Sequence, residues 1–244
     1  GIQLHQNNTL TFNLSTSYEI SDGFGYFIQN HLGTLDKEGE WFYNPAQKRL
    51  FLYSISDPNL KKVEASSIAT TFEANSIQYF SVSNLELRGA SNSAINILSS
   101  GQFDLINNSV TRSGNLGINI RNCTNGIINF NEIRSPNNNG IAISGSNSMQ
   151  INNNILKSIG IRPGMGGSSN GQYLGMFLNG TYITCENNKL DSIGYVGIFF
   201  EGNNITIKNN VISNFCSVMD DGGAIYTWSN TDLTFSNRII EKDI

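Results

Sequence analysis

Apolar and polar residues alternate along this chain in short bursts, and the bursts recur in register. Six open on a small residue: Ala94-Ile-Asn-Ile-Leu98, Gly117-Ile-Asn-Ile-Arg121, Gly140-Ile-Ala-Ile-Ser144, Gly175-Met-Phe-Leu-Asn179, Gly197-Ile-Phe-Phe-Glu201 and Ala224-Ile-Tyr-Thr-Trp228. Successive side chains of a strand point to opposite faces. The second and fourth residues of each burst are therefore expected inside, as in Ile95/Ile97, Ile118/Ile120, Ile141/Ile143, Met176/Leu178, Ile198/Phe200 and Ile225/Thr227. A second strand follows each burst and ends near an asparagine, as in Ile205, Ile207, Asn210, Ile212. Asn108, Asn131, Asn154 and Asn188 repeat the pattern, at intervals of 23, 23, 34 and 22 residues along the five. The Asn131 copy has Gly126 where the others have an apolar side chain.

A period near 22 with a recurring asparagine is the mark of a solenoid of stacked coils. Two or three short strands per coil suit a right-handed parallel β-helix of about seven coils, running from about Ser76 to the C-terminus. The leucine consensus of leucine-rich repeats is absent. Stacked strands lie about 4.8 Å apart, so identical asparagines at one turn form a hydrogen-bonded ladder. Leu85 is expected at the equivalent place in the preceding coil, and Arg238 in the last. Residues 1–75 break the pattern. The runs Gly25-Tyr-Phe-Ile-Gln-Asn30, Gly39-Glu-Trp-Phe-Tyr-Asn-Pro45 and Arg49-Leu-Phe-Leu-Tyr53 predict a small antiparallel β appendage leading into the helix.

Composition agrees with a turn-rich solenoid: 36 asparagines and 24 glycines, with only 14% of residues charged. A net charge of −4 without a basic run disfavours a nucleic-acid partner. No apolar stretch approaches the roughly 20 residues of a membrane span. Cys123, Cys185 and Cys216 have no metal-type spacing, and His5 and His31 are the only histidines. No cofactor is expected, and calcium has no clear ligand cluster. The chain starts at Gly1 and stops a few residues into what reads as a further coil. It is therefore expected to be a monomeric piece of a longer protein, its export address out of view.

Two coils are longer than their neighbours, and both add residues before the first strand. The insertions, roughly 157–174 and 214–223, are expected to gather on one face. The first is Gly-rich and carries Arg162 and Tyr173. Over the same coils the outward columns change character. The third strand position reads Asn96, Asn119, Ala142, Phe177, Phe199, Tyr226. The fifth reads Leu98, Arg121, Ser144, Asn179, Glu201, Trp228. Stacked exposed aromatics with amides and acids beside them fit sugar faces and hydroxyls. Asp220-Asp221, at the end of the second insertion, are the strongest catalytic candidates, because glycoside hydrolysis uses two carboxyl groups flanking the scissile bond.

The runs Gly25–Asn30, Leu35–Tyr43 and Leu50–Tyr53, with Asp220-Asp-Gly-Gly-Ala-Ile-Tyr-Thr-Trp228, resemble bacterial right-handed β-helix carbohydrate-active enzymes of the pectate-lyase-like superfamily. The similarity is closest to β-helix glycoside hydrolases of the α-fucosidase/xylanase type. The resemblance implies that one Asp of this motif is catalytic, Asp221 or else Asp220. It also implies a second carboxylate in a coil beyond Ile244, for which Glu201 is the substitute within this chain. Phe177, Asn179, Phe199, Tyr226 and Trp228, with Tyr173 and Arg162 from the loop, are the expected sugar contacts. The expected protein is secreted, periplasmic or on the cell surface and hydrolyses a complex polysaccharide. A non-catalytic carbohydrate-binding or surface β-helix protein is the alternative, and a polysaccharide lyase the third reading.

Overall fold

The computed structural model describes residues 2–13, 22–23, 28–167, 171–228 and 234–244. The chain divides into two compact units, Gly1–Val63 and Glu64–Ile244. The first holds two antiparallel hairpins, Ile2–Gln6 with Thr9–Phe12 and Trp41–Asn44 with Arg49–Leu52. In the second hairpin Phe42 and Phe51 stack across the strands. Glu38 accepts the Ile55 N–H at 2.7 Å and pairs with Lys61. The expected strand at Gly25–Asn30 falls largely outside the described residues.

The second unit is a right-handed parallel β-helix. Its first-strand stack contains seven members: Phe72–Asn75, Ile95–Leu98, Ile118–Arg121, the segments that begin at Ile141, Met176 and Ile198, and Ile225–Tyr226. Phe72–Asn75 already pairs in parallel with Ile95–Leu98, so the stack starts one strand before Ser76. In three coils the first and second strands run on as one, at Ile141–Asn152, Met176–Glu186 and Ile198–Lys208. Short third strands, from Glu86–Arg88 to Val211–Ser213, form the remaining sheet.

The inward residues of the first five strands with both positions in the repeat are fully buried, from Ile95/Ile97 to Ile198/Phe200. Ile225 is only half-buried, and Thr227 is exposed, with its hydroxyl donating to the Phe200 carbonyl at 2.8 Å. Gly126 has a packing reason. It lies in register between Phe103 and Met149, and a Cβ there would overlap both side chains. The large neighbours fill the space that the glycine leaves. At Gly202 the backbone has φ +115° and a Cβ would overlap the Gly180 carbonyl, so only glycine fits that corner.

The five asparagines align at one turn and are 0–2% exposed. From Asn131 onward each Oδ1 accepts both the backbone N–H and the Nδ2 of the asparagine one coil earlier, as Asn188 does from Asn154 at 2.9 and 3.0 Å. Each Nδ2 also donates to a carbonyl of the coil before, as Asn154 does to Ile128 at 2.9 Å. Leu85 stands at the head of the ladder, its N–H donating to Asn108 Oδ1 at 3.1 Å. The foot differs from expectation. Arg238 pairs in register with Ile205, an apolar position, and the ladder place belongs to Asp243. Asp243 Oδ1 accepts from the N–H and the Nδ2 of Asn210, at 2.7 and 2.8 Å.

Candidate functional site

The first-strand stack carries an outward column that changes along its length. Over the first three coils it is an amide ladder: Asn96 donates to Glu73 at 3.1 Å, and Asn119 to Asn96 at 2.9 Å. The fourth coil has only the Ala142 methyl. Beyond it Phe177, Phe199 and Tyr226 lie in register. Their rings stack at centroid separations of 5.7 and 5.8 Å, with interplanar angles of 22° and 23°. The sequence thus placed the column correctly, with its rings outward. The two phenylalanines are partly covered, because Tyr173, Leu174, Tyr195 and Val196 form a small core against them with Cys216, Val218 and Met219. Tyr226 is 36% exposed and Trp228 58%.

The Gly-rich insertion is anchored by a second amide ladder. Asn115 donates to Asn92 at 3.1 Å, and Asn138 donates to Asn115 at 2.9 Å and to Gln172. Asn138 and Asn139 are buried and accept the backbone N–H groups of Tyr173 and Leu174, at 2.8 and 2.9 Å. Tyr173 was expected to contact sugar. It is instead 4% exposed, and its hydroxyl accepts the Gly164 N–H at 3.2 Å, so the ring supports the loop from beneath. Arg162 Nη1 donates to Asn137 at 3.3 Å. Between loop and coils lies a cleft of about 460 Å³, lined by Asn119, Ala142 and Phe177 on the coil side and Met165, Gly166 and Gln172 on the loop side. The lining side chains are all uncharged.

The acidic candidates differ in their partners. Asp220 and Asp221 are exposed. Their turn is held by Tyr195, whose hydroxyl donates to the Asp221 carbonyl and whose own carbonyl accepts the Cys216 N–H at 2.8 Å. Gly222 packs against the Tyr195 ring and Cys216 Sγ. Burial pushes the Tyr195 phenol above its usual range, and the Asp221 charge raises it further. The Cys216 thiol is raised by burial and, less, by Asp220 and Asp221. Glu201 has partners of its own. Its carboxylate accepts from Asn179 Nδ2 at 2.8 Å, while Asn179 Oδ1 accepts the Gly145 N–H at 3.2 Å. Burial lowers the Arg238 guanidinium, and the Glu201 charge partly restores it. Arg238 donates to the Gly202 carbonyl at 2.8 Å and to Thr227 Oγ1 at 2.9 Å, with its guanidinium 3.6 Å from the Phe235 ring centroid.

Three features of the site were not drawn from the sequence: the hollow at Ala142, the loop-anchoring ladder and the Tyr195 tether. The ladder had a signal. Asn92, Asn115, Asn138 and Gln172 are separated by 23, 23 and 34 residues, the same intervals as the inner asparagines. Among the described residues, no group of three or more His, Cys, Asp or Glu side chains gathers as a metal site would require. The family model described as right handed beta helix region matches residues 50–242. No curated protein and no solved structure matches the chain.

Proposed function

The chain belongs to the right-handed β-helix family, and from that premise we propose that the outward face of its first-strand stack binds a neutral polysaccharide laid across successive coils. The observation that carries this reading is the Phe177–Phe199–Tyr226 stack. At one end it leads to the exposed Trp228, and at the other it enters the uncharged cleft at Ala142. Aromatic faces suit the C–H faces of pyranose rings, and cleft amides suit hydroxyls. A polyuronate would meet no cation in that lining. Such polymers are met outside the cell, which favours an exported protein. Phe199→Ala should weaken retardation in native gels containing soluble neutral polysaccharide by about tenfold, the worth of one well-placed ring. Unchanged retardation, with the fold intact by circular dichroism, would remove the reading.

Glycoside hydrolysis is a second reading, favoured by the Tyr195 hydrogen bond that holds the exposed acid pair in place. Asp221, with Asp220 as its alternative, would protonate the glycosidic oxygen. Glu201, or an acid outside this chain, would act as nucleophile or base, and the distance between the two carboxyls sets retention or inversion. Asp221→Asn should then cut release of reducing sugar by about 10²–10⁴-fold while polysaccharide binding and the melting temperature hold. Undiminished hydrolysis by the Asp220→Asn/Asp221→Asn double variant excludes the mechanism.

A further inference from the structure

A second cleft of about 460 Å³ lies on the second-strand face, away from the aromatic column. Its lining includes Ser148, Gln150, Asn152, Tyr182, Thr184 and Glu186. Gln150 and Thr184 are in-register neighbours on adjacent coils, as are Asn152 and Glu186. The floor is thus a compact patch of amide, hydroxyl and carboxylate groups beside one aromatic ring. Among the described residues, none forms a side-chain hydrogen bond with Gln150, Tyr182 or Thr184. The amides that anchor the Gly-rich loop, by contrast, are spent on one another and on loop backbone.

Tyr182 stands at a strained position of the coil. Its position requires a left-handed backbone in each repeat: Tyr79, Gln102, Asn125, Ser148, Tyr182 and Asn204 have φ between 48° and 58°. Small polar residues, asparagine above all, tolerate that conformation best, and a bulky ring tolerates it poorly. Two tyrosines are nevertheless there, Tyr79 82% and Tyr182 60% exposed. Of the two, only Tyr182 borders the cleft, where its ring is open to a ligand.

We infer that this cleft is a second saccharide-binding site, in which a neutral pyranose ring stacks on Tyr182 while Gln150, Thr184 and Glu186 take its hydroxyls. The site is independent of the first-strand groove, being built from other strand positions. Tyr182→Asn gives the position the residue that Asn125 and Asn204 already have, so it should fold with an unchanged or higher melting temperature. In native gels cast with galactomannan, xyloglucan or arabinoxylan, it should lose about tenfold in affinity for whichever polymer retards the wild-type protein. Tyr79→Ala is the control, an exposed tyrosine in the same column outside the cleft, and should bind as wild type. Loss in Tyr182→Asn with Phe199→Ala unaffected would leave this site standing and the groove reading overturned. Loss in Phe199→Ala alone would do the reverse. The inference is also overturned if none of the three polymers retards the wild-type protein, or if Tyr182→Asn and Tyr79→Ala lose affinity equally.

Discussion

Two ladders run along the same coils, and they behave differently. The inner one keeps its residue type through five coils, lies wholly in the core, and has each amide engaged as donor and acceptor. The outer one begins as Glu73, Asn96 and Asn119, shrinks to Ala142, and continues as Phe177, Phe199 and Tyr226. Both obey the same spacing, so stacking alone does not tell them apart. Burial does. An interior rung must satisfy its polar groups within the protein, which leaves little freedom to vary. An exterior rung has water as an alternative partner and is free to take a residue suited to something else. A change of character along an outward column is therefore better ground for a candidate site than a repeated residue is.

The sharpest way to break this comparison is to remove one rung from each ladder. Asn154→Ala deletes donations to Asn188, Ile128 and Asn152 and leaves the Asn131 N–H without its buried acceptor. Each unsatisfied buried group costs about 1–3 kcal/mol, so the loss of unfolding free energy should be roughly 3 kcal/mol or more. Asn119→Ala removes a half-buried rung whose neighbour has water as a substitute, and should cost about 1 kcal/mol or less. Urea denaturation measures both. Equal losses would mean that burial does not distinguish the ladders.

The inner ladder was legible because period, residue type and apolar flanks all repeat together. Its foot was not. Thirty-three residues separate Asn210 from Asp243, the residue type changes, and Arg238 stands at a nominally apolar place. That arginine is accommodated by Phe235 and Phe200 rings and by the Gly202 carbonyl, partners that only the folded coil assembles. The outward aromatic column was legible for the same reason as the inner ladder, since strand alternation assigns every side chain a face. Tyr173 was not, because it sits in an irregular insertion where no periodicity assigns a direction. Only the buried Asn138 and the hydroxyl contact to Gly164 turn it inward. The hold on the Asp220–Asp221 turn was beyond sequence reasoning too, since it depends on how the second insertion folds back onto Tyr195.

A comparably small effect is expected with the opposite sign. Asp243 occupies the sixth rung, and its Oδ1 accepts from Asn210 as each asparagine accepts from the rung above. Its Oδ2 is buried and has no hydrogen-bond partner. In the other rungs that side of the group is an Nδ2 that donates to a carbonyl of the coil before, as Asn210 does to Cys185 at 2.9 Å. The carboxylate thus places an acceptor where the ladder supplies a donor. Asp243→Asn keeps the shape and both bonds to Asn210, and puts an amide nitrogen at the unpartnered place. One added buried hydrogen bond is worth about 1 kcal/mol, which in a chain of this size raises the melting temperature by about 2–4 °C. A fall in melting temperature would show that the negative charge at the foot of the ladder serves the fold, and that the ladder tolerates two chemistries rather than one.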